Sequence, residues 1–283
     1  MEEKNSNILE HIHASYFQLT AAERRIADYV LAQYPQIQFM SITQLAEECG
    51  TAEATVSRFC RSLGLPGFNA FKIELARHCA GSAPRSVPSH APDTPGSRAE
   101  EIGRLSTDAI RQTLELLDHT RVERAVALLE KASMVLCLGS GGSMIMAQEF
   151  AHLFSNVSSK FHTITDSHMQ LSAAATMEPS GVIVLFSYSG ATIGGIQILE
   201  HAKERGVPTI LITRFPKSPA AKLARVVLQC GSNESPFQFG SVPARVAQLI
   251  VTDVVFQEYC ARNARSCEEN IQRIAAALSE KHI

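Results

Sequence analysis

Four absences narrow what this chain can be. No apolar run approaches the ~18 residues that a membrane-spanning helix needs. The N-terminus, MEEKNSNILEHIH, starts acidic and lacks the basic-then-apolar order of a secretory signal. The seven cysteines (49, 60, 79, 137, 230, 260 and 267) are odd in number and contain no C-x-x-C pair, so neither a disulfide framework nor a zinc site is indicated. Positive charge is not in excess either: 26 Lys and Arg face 28 Asp and Glu, and a net charge of -2 excludes an overall polybasic character. The expectation is a cytoplasmic chain with no membrane partner, metal or cofactor.

What is present is ordinary globular material. The chain has 283 residues, 45% hydrophobic and 19% charged. At a prior of ~150 residues per domain this length suggests two units. Residues 81–97, GSAPRSVPSHAPDTPGS, hold four of the twelve prolines, two glycines and four serines. Such a stretch has almost nothing apolar to bury and reads as a linker. The expected division is residues 1–80, a linker over 81–97, and residues 98–283.

Before the linker the pattern is helical throughout. Thr20 and Glu23 have capping-box spacing, as do Ser41 and Gln44, and apolar residues such as Ile26, Ala27, Val30 and Leu31 follow at helical intervals. Residues 42–64, ITQLAEECGTAEATVSRFCRSLG, predict a short helix, a turn at Gly50 and a second helix capped by Thr51. Val56, Phe59, Cys60 and Leu63 fall on one face of that second helix, which leaves Glu53, Ser57, Arg58 and Arg61 outside. Residues 1–80 carry seven Lys and Arg against nine Asp and Glu, yet from Thr55 to Cys79 the balance is Arg58, Arg61, Lys72 and Arg77 against Glu74 alone. Arg58 suits a bidentate contact to guanine, whereas Arg61 and Lys72 suit phosphates. Glu53 fits only by reading a cytosine amino group or by staying out of the groove. An amphipathic helix after a glycine is also what any three-helix bundle shows.

Residues 19–76 resemble the DNA-binding domain of the RpiR family of bacterial transcriptional regulators. The resemblance is carried by ERRIADYVL, SITQLA, ATVSRFCRSLG and GFNAFK. It implies an all-α helix-turn-helix bundle with operator DNA as partner. Thr51, Glu53, Thr55, Ser57, Arg58, Arg61 and Lys72 are the candidate DNA-facing residues.

After the linker, a helical stretch from about Ala99 to Lys131 leads into alternating short apolar runs and helical patterns. The expected strands are Val135–Leu138, Phe161–Thr165, Val182–Phe186, Thr209–Thr213 and Val226–Cys230. Helices between nearly every pair imply a five-stranded parallel sheet sandwiched by helices. VLCLGSGGSMIMA places Gly139, Gly141, Gly142 and Ser143 between the first strand and a helix, and VLFSYSGATIG places Ser187, Ser189, Gly190 and Thr192 after the third. Helix N-termini present free N–H groups and a partial positive charge of ~0.5, so such loops are anion sites. One serine at each junction would need no more than a capping role, worth ~1 kcal/mol. Three hydroxyls at 187, 189 and 192 exceed that need.

Other chemistries fit less well. A dinucleotide site would use Gly139, Gly141 and an acid such as Asp166, but Met144 stands where the third glycine belongs. A G-x-S-x-G elbow fails because residue 187 is Ser, and no G-K-[ST] exists for a Walker A loop. His119, His152 and His168 show no metal or triad spacing and read as structural or surface residues.

The second unit, from about Ala132 to Cys260, resembles a SIS (sugar isomerase) domain, which accompanies this helix-turn-helix in RpiR-type regulators. The resemblance rests on G-x-G-x-S, S-x-S-G-x-T, AKERGVPTILIT and SPAAKLARVVL. It implies that Ser143, Ser187, Ser189 and Thr192, with Gly141, Gly142 and Gly190, hold the phosphate of a phosphorylated sugar effector, with Glu234 near the sugar. Ala244 before Arg245 departs from a common Ser-Arg pair. Arg214, where a small polar residue is common, could reach a second anionic group or simply face solvent. The expected function is a non-enzymatic regulator of sugar or amino-sugar metabolism, acting as a homodimer or homotetramer with the apolar helix Val246–Phe256 as an interface. A sugar-phosphate isomerase or lyase with a helical appendage, with Glu234 its one placeable acid–base group, and an NAD-sensing Rossmann-type repressor are the alternatives.

Overall fold

The computed structural model describes residues 8–79, 94–232 and 241–279. These form two compact units, the first ending at Gly103 and the second running from Arg104 to Ser232 and on from Val242.

The first unit is helical: α1 (Ile8–Ser15), a 3-10 turn (Tyr16–Gln18), α2 (Ala21–Ile37), α3 (Ile42–Glu48), α4 (Glu53–Ser62) and α5 (Phe68–Cys79). Both expected capping boxes form. The Thr20 hydroxyl accepts from the Glu23 N–H while Glu23 accepts from the Thr20 N–H, and Ser41 and Gln44 do the same for α3. Pro35 lies inside α2, where it removes a backbone donor, and the helix kinks just before it at Gln33 (φ -131°). Ile26, Val30, Leu45, Val56, Phe59, Phe71 and Leu75 have no exposed surface and form one core, in which Phe59 meets Phe71 edge-on at 5.6 Å. α3 has only seven residues, so its two end bonds matter more than usual. Ser41→Ala is therefore expected to destabilise the first unit by about 0.5–2 kcal/mol, read as a lower urea midpoint with unchanged slope.

The turn between α3 and α4 is formed by Gly50 at φ 58°, with the Thr51 N–H donating back to the Ala46 carbonyl at 2.8 Å. That bond commits Thr51 to closing α3. Thr51 does not cap α4, contrary to the sequence expectation; Ala52 occupies that position and makes no side-chain bond.

α6 (Pro95–Leu116), which belongs to the second unit from Arg104 on, and α7 (His119–Lys131) precede β1 (Val135–Gly139), α8 (Gly142–Ser155), β2 (Phe161–Thr163), α9 (Ser167–Thr176), β3 (Val182–Phe186), α10 (Ile193–Glu204), β4 (Thr209–Thr213), β5 (Val226–Gln229), α11 (Val242–Arg262) and α12 (Ala264–Ser279). α6 begins at Pro95, inside the expected linker, because Thr94 accepts from the Ser97 N–H and proline suits a first helical position. The expected single helix to Lys131 is split by Asp118, whose carboxylate accepts from the Arg121 N–H and starts α7.

All strand pairs are parallel, in the order β2-β1-β3-β4-β5. β1, β3 and β4 are buried along their whole length, which accounts for continuous rather than alternating apolar runs. Val135, Cys137, Val184 and Phe186 pack with α7, α8 and α11 on one face; Leu136, Leu138, Ile183 and Leu185 pack with α9 and α10 on the other. Much of the apolar face of α11 is taken by this core: Ala247, Val251 and Val255 are buried, and Leu249 is left exposed. Among the described residues no helix is long and apolar enough to cross a membrane.

Candidate functional site

The strand order decides where a ligand can sit. From β1 the chain turns through α8 on one face to the outer strand β2; from β3 it turns through α10 on the opposite face to β4. β1 and β3 are neighbours, paired Gly139 to Phe186, so the loops leaving their carboxyl ends diverge to opposite faces. That divergence is the topological switch point, where parallel sheets open a crevice.

Both loops named from the sequence lie there. In the first, Gly141 (φ 56°) stands at the N-cap of α8 with no side-chain capping bond, Gly142 opens the helix and Ser143 is half-buried. In the second, Ser187 is buried and its hydroxyl has no protein partner. Ser189 is half-buried, and its Oγ accepts from the Ala191 N–H at 3.2 Å. Gly190 sits at φ 59°, and Thr192 is the exposed N-cap of α10 but makes no side-chain bond to it. The hydroxyls at 187 and 192 are thus not used for capping. A buried hydroxyl without a partner loses about 1–3 kcal/mol of hydration, and a ligand acceptor would restore it.

Several supporting residues escaped the sequence reading. Gln170, 2% exposed, donates from Nε2 to the carbonyls of Gly139 (2.9 Å) and Ile164 (2.8 Å) and so fixes the first loop from α9. Thr213 donates to the Tyr188 carbonyl at 3.1 Å, and buried Ser218 lies against Gly190. Their signal in sequence is faint, because a lone polar residue in an apolar segment points to no particular partner. Arg214 donates from Nε to the Ser232 carbonyl at 2.8 Å. Asp166 caps α9, its Oδ1 accepting from the Met169 N–H at 2.9 Å. Glu234 lies outside the described residues.

In the first unit Val56, Phe59, Cys60 and Leu63 turn inward as expected, and Arg58 and Arg61 are exposed. Two of the expected DNA-facing residues bond within the unit, and the hydroxyl of a third is enclosed by protein. Thr55 is buried and accepts from Arg58 Nη2 at 3.2 Å; Glu53 accepts from the Thr43 hydroxyl at 2.9 Å; and the Thr51 Oγ is buried without a partner. Ser57 is half-buried, and Lys72 holds its ammonium 5.4 Å from the Phe68 ring. Burial pushes the Cys49 thiol up to about 11 and the Cys60 thiol up to about 12, so both stay protonated and unreactive at neutral pH.

A helix-turn-helix unit followed by a doubly wound parallel domain with hydroxyl-rich loops at its switch point defines a DNA-binding regulator joined to a sugar-isomerase-type fold. Residues 6–82 match the helix-turn-helix domain of the rpiR family, and residues 128–257 match the SIS domain. A Thermotoga maritima protein named as an uncharacterized HTH-type transcriptional regulator is 31% identical over 97% of this chain and 99% of its own. The Bacillus subtilis regulator YbbH is 30% identical over 96% of this chain and 97% of its own. The structure of the Vibrio vulnificus NanR protein complexed with ManNAc-6P superposes with a TM-score of 0.88 at 23% identity, covering 98% of this chain and 100% of that one. The chain belongs to the rpiR family of helix-turn-helix transcriptional regulators, with a C-terminal SIS domain.

Proposed function

We propose that the SIS domain holds the phosphate of a phosphorylated sugar between the loops 139–143 and 187–192, and that its occupancy alters the affinity of the first unit for operator DNA. Ser143, Ser187, Ser189 and Thr192 supply hydroxyls, while Gly141, Gly142 and Gly190 let backbone N–H groups approach the anion. The observation that carries this reading is the buried, unpartnered Ser187 hydroxyl at the β1/β3 switch point. Amino-sugar 6-phosphates are the first class to test, because ManNAc-6P is the ligand in the NanR complex. A role in sugar or amino-sugar metabolism follows from that class.

The two loops themselves supply no carboxylate or imidazole as an acid–base group. Sugar isomerisation requires a carboxylate or imidazole within reach of the reacting carbon. The segments 139–143 (GSGGS) and 187–192 (SYSGAT) contain neither. Paired operator half-sites one helical turn apart, about 34–36 Å, are the usual target of this motif, so the proposed DNA-bound form is a homodimer or a homotetramer.

The test is a thermal-shift screen of hexose and hexosamine 6-phosphates. A ligand at a hundred times its Kd stabilises the SIS domain by about 2.7 kcal/mol, which raises its Tm by several degrees. Ser187→Ala is expected to weaken the hit about tenfold, one hydrogen bond to a charged group out of several. Equal affinity for mutant and parent would place the ligand elsewhere.

A further inference from the structure

We propose that Ser232 is a relay residue that ties the ligand-binding loop after β3 to helix α6, so that filling the loop changes the stability of the C-terminal half of α6. The proposal rests on the reading of that loop as the effector site.

Tyr188 lies between Ser187 and Ser189, and its backbone carbonyl accepts from the Arg214 N–H and the Thr213 hydroxyl, each at 3.1 Å. Its own hydroxyl points away from this frame and donates to the Ser232 carbonyl at 2.9 Å. Arg214 Nε donates to the same carbonyl at 2.8 Å. On the other side of Ser232, its N–H donates to Gln112 Oε1 at 3.3 Å, and the Gly231 N–H donates to Thr113 Oγ1 at 2.9 Å. Thr113, fully buried, in turn donates to the Ala109 carbonyl one turn earlier in α6 at 2.6 Å. The chain after β5 is therefore held by the effector loop at the Ser232 carbonyl and by α6 at the Ser232 N–H.

The fit on the α6 side has no slack. A Cβ built on Gly231 would stand 2.6 Å from the Thr113 N, 2.7 Å from the Gln112 Cβ and 2.9 Å from the Ala109 carbonyl oxygen. Ser232 itself has φ 78°, the one non-glycine residue with positive φ among the described residues, and it is 5% exposed. A serine stays in that strained region only while its surroundings over-determine it, and here the surroundings are the bonds from Tyr188, Arg214 and Gln112. An anion seated against Ser187 and Ser189 must adjust the residue between them. The Tyr188 hydroxyl carries that adjustment to the Ser232 carbonyl, and the proposed second state is Ser232 relaxed out of positive φ, the discrete alternative that coupling between sites requires.

The experiment uses the full-length chain and inorganic phosphate as the probe, against chloride at matched ionic strength. Amide hydrogen exchange is followed in the loop 187–192 and in residues 109–116 of α6. In the parent protein phosphate is expected to slow exchange in the loop and to change the rate in α6 at least threefold. Tyr188→Phe, which removes one oxygen, keeps the loop response and loses the α6 response; Gln112→Ala does the same from the other side. A parent protein whose loop is protected while α6 is unmoved overturns the relay and leaves the effector site standing. A full α6 response in both variants also overturns it. If phosphate fails to protect the loop at all, the effector-site reading fails, and the relay with it.

Discussion

Arg58→Ala is expected to lower operator affinity about 5- to 150-fold, equivalent to ~1–3 kcal/mol, and to relax the preference for one base pair in each half-site. Arg58 is exposed on α4, the second helix of the motif, whose opposite face anchors it through Val56, Phe59 and Cys60. Its guanidinium already leans on Thr55, at 3.2 Å, a bond that the proposed contact to a guanine edge would replace. Operator sequences selected from a random duplex pool with the parent protein supply the probe, and mobility shifts at fixed salt read the loss. Lys72→Ala provides the contrast: a phosphate contact lowers affinity for all sequences alike and reduces the slope of log affinity against log salt by about one. Unchanged affinity and base preference after Arg58→Ala would remove α4 from the major groove.

Gly190→Ala is expected to abolish effector binding, a loss of more than about a hundredfold, while operator affinity without effector stays at the parent value. The added methyl would lie 2.0 Å from the Ser218 Oγ and 2.5 Å from its Cβ. Ser218 is fully buried and cannot withdraw. The residue also sits at φ 59°, where an L side chain costs about 1–2 kcal/mol. Relief of both requires the loop 187–192 to move as a unit, and this displaces the Ser187 and Ser189 hydroxyls together. Calorimetric titration with the ligand found in the thermal screen measures the effect, with circular dichroism as the check on folding. Parent-like affinity in this variant would mean that the anion does not use the loop.

Much of this arrangement was legible in the sequence. The strands emerged within two residues of their ends because short apolar runs separated by helical patterns have few other readings in a doubly wound domain. Both capping boxes could be read because their bonds are local. What could not be read was long-range. Nothing in VLCLGSGG or VLFSYSGA states that β1 and β3 are neighbours whose helices leave to opposite faces, yet that adjacency brings both loops to the switch point. The Gln170 contact to Gly139 spans 31 residues and the Gly231 contact to Thr113 spans 118, distances over which a one-dimensional pattern carries no information. Thr51 misled for a local reason: its N–H donates to the Ala46 carbonyl and closes α3, and α4 starts after Ala52, one residue later than expected.

The outermost strands of the sheet are its shortest, β2 with three residues and β5 with four. Each presents only a few open N–H and C=O groups to a passing chain, too short a template for a foreign strand to lengthen the sheet. A regulator whose sensor had long, flat borders would risk joining copies of itself border to border. Short borders leave any association between copies to helices and side chains, which can be specific and reversible.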